Sequence, residues 1–241
     1  MKVEIWSEIT CPWCGLGSHR LDRAVERFEY GDEVEVIHRS FPLSDRYPVG
    51  SIVSVREATL QNYGLAGARL EAVTGRVEAM AEREGLSPYR VLENQVGNTR
   101  LAHEFLAHAS AEGKNRAAWD RIFRAYFGEA RPVFGLDELL DLADEIGLER
   151  EETWRALAEG RFRHRVQDEL ERGQQMGATG APFTLVDGRY AVAGAQETDA
   201  LLSILRQVWD DTHPTVLPAG DNATVCGPDG CAVPADRAAH A

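Results

Sequence analysis

Residues 2–15 read KVEIWSEITCPWCG, and the fold turns on how the two cysteines at the end of this stretch are read. Val3, Ile5 and Trp6 make residues 2–7 a short apolar strand. From Pro12 to about Tyr30 the apolar residues Leu21, Val25 and Phe28 recur at helical spacing, and the run GDE ends that helix. A second strand pattern, VEVIHRSF, follows at residues 34–41. Strand, helix and strand in this order predict a right-handed βαβ unit with parallel strands. Cys11 then falls at the helix N-terminus, with Pro12 at the first helical position, where its missing N–H costs nothing.

That position gives the pair its chemistry. Backbone N–H groups of a first helical turn point at the Cys11 sulfur, and their partial positive charge favours thiolate over thiol. A Cys11 thiolate attacks a substrate disulfide, and Cys14, one turn along, resolves the mixed disulfide; the reverse steps oxidise a substrate dithiol. Pro12 and Trp13, between the cysteines, sit where they touch substrate and help to set the potential. Zinc knuckles use the same Cys-x-x-Cys spacing, so a four-cysteine zinc site is the competing reading and an inert packed pair the third. A pair opening a helix directly after the first strand of a βαβ unit favours the redox dithiol, with no metal.

From about residue 45 to 165 the pattern is almost wholly helical: segments starting at Val55, Ala68, Asn98, Asn115 and Leu136 carry apolar residues three and four apart. Asn98 or Thr99 is placed to cap the third of these helices. A further helix, RFRHRVQDELERGQQMG, precedes two strand patterns, PFTLVDG and RYAVAG, joined by the turn-favouring pair Asp187-Gly188. A last helix starts near Glu197. The expected fold is α/β, thioredoxin-like, with an inserted all-helical domain. Its expected boundaries are a discontinuous thioredoxin-like domain at 1–44 and 166–211, the insertion at 45–165, and a tail at 212–241.

Pro182 stands immediately before a returning strand. A trans proline has no evident purpose there, whereas a cis Ala181–Pro182 bond turns the Ala181 backbone toward the dithiol, where it pairs in strand fashion with bound substrate. Cys226 and Cys231 flank a Gly-Pro-Asp-Gly turn, VCGPDGC, that suits a small disulfide loop.

The 241 residues carry a formal net charge of −13, spread along the chain, which works against nucleic-acid and anionic-membrane partners. The N-terminus enters a strand without an apolar signal core, and no 18-residue apolar run exists, so the cytoplasm is the expected compartment. In a reducing cytosol paired cysteines are more often catalytic, redox-sensing or metal-binding than structural.

Four segments together, VEIWSEITCPWC at 3–14, NTRLAH at 98–103, IFRAYFGEARPV at 122–133 and GATGAPFTLVDGRYAVAGAQ at 177–196, resemble the DsbA-type thioredoxin-fold oxidoreductases, in particular their FrnE-like branch. The likeness runs from Lys2 to about Trp209. It implies a disulfide oxidoreductase or isomerase acting on protein or small-molecule thiols and disulfides, with no bound organic cofactor. Cys11 matches the family's nucleophile, Cys14 its resolving partner and Pro182 its cis-proline; a C-terminal pair occurs in some relatives, which makes Cys226 and Cys231 the candidate auxiliary redox pair. Glu4 is the candidate for the family's buried proton-moving acid. Gly15 stands where relatives often carry an aromatic residue and Ala181 where valine is frequent, so a more open site beside the sulfurs is expected. The same fold also hosts glutathione-dependent isomerases and transferases, and a redox-sensing, chaperone-like binding role is the third class.

Overall fold

In the computed structural model, residues 1–213 and the backbone of 226–227 and 230–231 are described. A four-stranded sheet carries β1 (Lys2–Ser7), β2 (Glu35–Ser40), β5 (Phe183–Val186) and β6 (Tyr190–Ala193) in the order β2-β1-β5-β6. β1 and β2 are parallel, with Trp6 opposite Arg39 and Ser7 opposite Ser40, and β5 and β6 run antiparallel. The crossover helix between the first two strands is α1 (Pro12–Arg27).

Alternation along β1 sends its side chains to two different layers. Val3 and Ile5 pack with Leu21 and Val25 of α1 and with Leu205 and Val208 of α9 (Thr198–Thr212). On the other face Trp6 packs with Phe183 and Leu185, and its indole N–H donates to the Glu169 carbonyl of α8 (Arg163–Gln175) at 2.7 Å. Full burial of such a side chain stabilises by roughly 1.5–3 kcal/mol. Gly173 of α8 is required here, because a Cβ at that position would lie 2.8 Å from the Trp6 ring.

Between β2 and α8 the chain forms β3 (Ile52–Ser54), α2 (Val55–Tyr63), α3 (Gly67–Arg83), β4 (Gln95–Gly97), α4 (Arg100–Ala111), α5 (Asn115–Phe123), α6 (Leu136–Glu145) and α7 (Arg150–Ala158). Three features here go beyond the periodicity. β3 and β4 pair antiparallel, but three residues each are too few to show a period. α7 escapes notice because only Thr153, Ala156 and Leu157 face inward while Trp154 stays exposed. α5 also continues into a π-helical turn, Arg124–Gly128, which places Tyr126 and Phe127 in the core.

The largest buried cluster is shared by both sets of elements. Ile9, Cys14 and Leu16, from the start of α1 and the loop before it, pack with Phe105, Trp119 and Phe127 of the helical segment. Arg20, buried on α1, ties further elements together: its guanidinium donates to Glu84 after α3, to Glu197 before α9 and to the Ala195 carbonyl. Among the described residues no helix is long and apolar enough to cross a membrane.

Beyond residue 213, Cys226–Gly227 (β7) and Gly230–Cys231 (β8) pair antiparallel with Cys226 opposite Cys231. The expected auxiliary pair is thus placed by its backbone, and its side chains lie outside the described residues.

Candidate active site

Cys11 occupies the N-cap of α1 in extended conformation (φ −83°, ψ 114°), with Pro12 opening the helix. No side chain caps this end, which leaves the first-turn N–H groups directed at the sulfur. A hydrogen bond from Cys14 and the backbone N–H groups of Cys14 and Trp13 lower the Cys11 pKa, overcoming the opposing effect of burial. Cys14, fully buried, is displaced in the other direction: burial first, then the hydrogen bond and the charge of Cys11, push its thiol well above the usual range. The Glu8 backbone N–H donates to the Cys14 sulfur at 3.4 Å. The two sulfurs are therefore displaced in opposite directions, Cys11 toward the thiolate and Cys14 toward the thiol.

Ala181 and Pro182 meet this pair from the far end of the chain. The Ala181–Pro182 bond is cis, and in its thiol form Cys11 donates to the Ala181 carbonyl at 3.7 Å. Gly17 makes the approach feasible, since a Cβ there would lie 3.2 Å from Pro182 Cγ and 3.3 Å from Ala195 Cβ. Trp13 is partly buried against the shared core beside Cys11 and Ala181. The structure thus brings Cys11, Pro12, Trp13, Cys14, Ala181 and Pro182 into one place.

The buried acid beside the two cysteines is Glu8, and the Glu4 carboxylate is engaged by other partners. The Glu4 carboxylate is held by Arg39 at 2.8 Å and Arg172 at 2.7 Å, with Lys2 at 3.6 Å, so it closes an ion-pair cluster that ties β1 to α8 and β2. Glu8, three residues before Cys11, accepts hydrogen bonds from the backbone N–H groups of Thr10 (3.2 Å), Leu43 (2.5 Å) and Ser44 (3.0 Å) and from the Thr99 hydroxyl (3.2 Å). The His103 imidazole, fully buried, faces it at 3.6 Å. Burial alone would raise the Glu8 pKa, but His103 and the backbone donors outweigh it and hold the carboxyl below its usual value.

Thr99 accordingly does not cap α4 with its side chain. It stands at the N-cap, but its hydroxyl is spent on Glu8, while Asn98 accepts from the Arg100 N–H at 3.0 Å and donates to the Asp45 and Tyr47 carbonyls.

Gly15 does not open the site either. A Cβ there would lie 2.5 Å from the Tyr89 hydroxyl and 3.2 Å from the Phe127 ring. Tyr89 stacks on Phe127 (4.7 Å, 16°) and donates to the Pro12 carbonyl at 2.5 Å, so an aromatic residue supplied from outside α1 fills the space. Burial, and then the charges of Cys11 and Cys14, raise the Tyr89 hydroxyl's pKa well above the usual range and keep it a donor. Sequence reasoning missed Tyr89 and His103 as site residues and read Thr99 as a helix cap in preference to a substrate contact; Glu8 had one local signal, a carboxylate between an apolar strand and a cysteine.

A thiol of lowered pKa capping a helix, a buried partner one turn on and a facing cis-proline define a thioredoxin-like dithiol protein. The chain belongs to the DSBA-like thioredoxin domain family, whose profile matches residues 2–206. It is 37% identical to a probable DsbA oxidoreductase from Streptomyces coelicolor, with a TM-score of 0.83 over 97% of this chain and 99% of that one. Cytosolic disulfide reductase DsbM from Pseudomonas aeruginosa, also solved with GSH, shares the fold at a TM-score of 0.57 and 21% identity, covering 86% of this chain and 98% of DsbM. An uncharacterized protein of Bacillus subtilis, YwbO, is 23% identical over 199 residues, which span 83% of this chain and 92% of YwbO.

Proposed function

We propose that the protein is a thiol-disulfide oxidoreductase and isomerase of the cytoplasm, of the FrnE-like branch, in which Cys11 is the nucleophile, Cys14 the resolving thiol, and Pro182 with Ala181, Pro12 and Trp13 the substrate-facing surface. The single observation that carries the reading is geometric: Cys11 at the N-cap of α1, Cys14 buried one turn on, and the cis Ala181–Pro182 bond facing the Cys11 sulfur; the opposite displacement of the two thiol pKa values agrees with it. The Cys11 thiolate attacks a substrate disulfide, forming a mixed disulfide and expelling one substrate thiolate. Cys14, once deprotonated, attacks the Cys11 sulfur; the Cys11–Cys14 disulfide forms, the second substrate thiol leaves, and two electrons have passed to the substrate. Isomerisation requires only that a substrate thiol rather than Cys14 resolve the mixed disulfide.

The same reading treats 1–44 with 166–211 as the thioredoxin-like unit, 45–165 as its insertion and 212–241 as a tail whose Cys226–Cys231 pair exchanges with Cys11–Cys14. Antiparallel neighbours facing across a ladder sit about 4.5–5.5 Å apart at Cα, within the span of a disulfide, which supports pairing of Cys226 with Cys231. The cytosolic naming of DsbM agrees with the compartment, and the GSH in its second structure makes glutathione the first reductant to try.

Insulin reduction and scrambled-ribonuclease refolding by the wild type and by Cys11→Ser test the proposal. Equal activity in both would remove it. A Cys14→Ser variant trapped with substrate and mapped by mass spectrometry reports whether Cys226 or Cys231 enters mixed disulfides.

A further inference from the structure

Beside Cys11, opposite neither β5 nor β6 but under the helical segment, lies a cavity of about 450 Å³. Cys11, Pro12 and Trp13 form one wall. Its other walls include Val55, Ala58, Leu70, Val91, Tyr126 and Phe127, all buried. The polar atoms within are already engaged: the Glu8 carboxylate, which also lines the cavity, accepts from Thr10, Leu43, Ser44 and Thr99, the Thr10 and Ser44 hydroxyls pair at 3.1 Å, the Tyr126 hydroxyl donates to the Gln95 carbonyl at 2.6 Å, Thr59 to the Val55 carbonyl at 2.8 Å and Thr74 to the Leu70 carbonyl at 3.0 Å. The interior therefore selects by shape and apolar contact. A volume of this size falls in the range that holds one small molecule, roughly 300–1,000 Å³.

The rim is different. Arg46, Tyr47, Asn62 and Tyr63 line it, with the Arg46 guanidinium 5.7 Å above the Tyr47 ring and the Asn62 amide donating to the Tyr47 hydroxyl at 2.6 Å. Among the described residues Arg46 has no carboxylate partner; the neighbouring Asp45 faces Arg100 at 3.6 Å instead. In a chain with a net charge of −13, a cation with no carboxylate partner among the described residues, at the mouth of a mostly apolar cavity, is a local reversal of sign.

We propose that this cavity is the specificity subsite for a low-molecular-weight disulfide or thiol with an apolar, ring-sized body and a carboxylate. The assignment rests on the dithiol reading above. The ring enters between Trp13 and the walls, the carboxylate meets Arg46, and the substrate sulfur is left at Cys11. Cys11 thiolate attack breaks the substrate S–S bond and releases the outer half as a thiolate. Cys14 then attacks Cys11 and frees the seated half as the second thiol, the dithiol having supplied two electrons.

The test is stopped-flow oxidation of the reduced protein by 5,5′-dithiobis(2-nitrobenzoate), which has both ring and carboxylate, and by hydroxyethyl disulfide, which has neither. Each rate is divided by that of dithiothreitol with the same compound, to remove intrinsic reactivity. The expected ratio favours the aromatic carboxylate by about tenfold or more. Ala58→Trp, which fills the cavity, lowers that ratio about tenfold. Arg46→Ala, on the exposed rim, lowers it about fivefold at low salt, and Arg46→Lys restores most of the loss. An unbiased ratio that neither Ala58→Trp nor Arg46→Ala moves would overturn the assignment. So would an Ala58→Trp loss in insulin reduction as large as that with the aromatic disulfide, which would give the cavity to a polypeptide side chain. No reaction with any disulfide would instead refute the oxidoreductase reading itself.

Discussion

The Tyr89 hydroxyl reaches the Pro12 carbonyl, between the two cysteines, through the space that a side chain at position 15 would occupy. Gly15 and Tyr89 are therefore one structural unit, although 73 residues separate them in the chain. Gly15→Ala must displace the hydroxyl, and overpacking of this kind costs about 1–3 kcal/mol. Tyr89→Phe removes the obstructing oxygen, so in the double variant Gly15→Ala/Tyr89→Phe the two losses are less than additive. Urea unfolding of the four species measures the coupling; strict additivity would contradict it.

Cys11 should be alkylated by iodoacetamide with a midpoint below the ~8.5 of a free thiol, while Cys14 stays protected in the native protein. The rate rises with pH through the Cys11 pKa and then levels. Glu8 carries a negative charge that raises both thiol pKa values, so Glu8→Gln moves the Cys11 midpoint further down. A midpoint that stays put or rises in Glu8→Gln would show that this charge does not reach the sulfur.

Glu8 also makes stability depend on acid. Its pKa in the folded protein is lowered relative to the unfolded chain, so its contribution is complete above the unfolded carboxylate value of ~4.3 and is lost as pH falls through the folded pKa. Glu8→Gln keeps the shape but weakens four charge-assisted hydrogen bonds, and should cost about 2–4 kcal/mol at pH 7. The deficit shrinks below pH 4. Urea midpoints of both proteins at pH 7 and pH 3.5 decide this; a deficit equal at both would refute the linkage.

His38 acts in a different window. It is buried on β2 and stacks on Trp119 (5.5 Å, 24°), and burial, with a smaller effect from Arg116, lowers its pKa to about 3. Between that value and ~6.5 the unfolded chain binds the extra proton, so stability falls on acidification by up to about 1.4 kcal/mol per pH unit. His38→Phe removes this slope and keeps the stack. Identical slopes in wild type and variant between pH 6.5 and 4.5 would rule His38 out as their source.

What could be read from the sequence was local. The period of β1, the proline after Cys11, the Asp187-Gly188 turn and the strand after Pro182 each depend on residues within a few positions, and each lies in the structure where the pattern puts it. Glu8 was invisible in its role because Leu43, Ser44, Thr99 and His103 reach it from 35 to 95 positions away. Gly15 misled for the same reason, since a glycine's vacancy says nothing of what fills it. α7, with three inward positions, lacks a stripe long enough to register.

The bonds from Leu43 and Ser44 to Glu8 fasten the loop leading to Arg46 directly to the turn that carries Cys11. One carboxylate thereby ties the Cys11 turn to the segment that leads to the cavity rim, and the chain beyond Ser44 is relieved of that duty. Substrate range and sulfur reactivity become separable variables. Exchanging the segment from Asp45 to Leu65 with that of a relative would retune what the protein accepts while the dithiol keeps its own acidity.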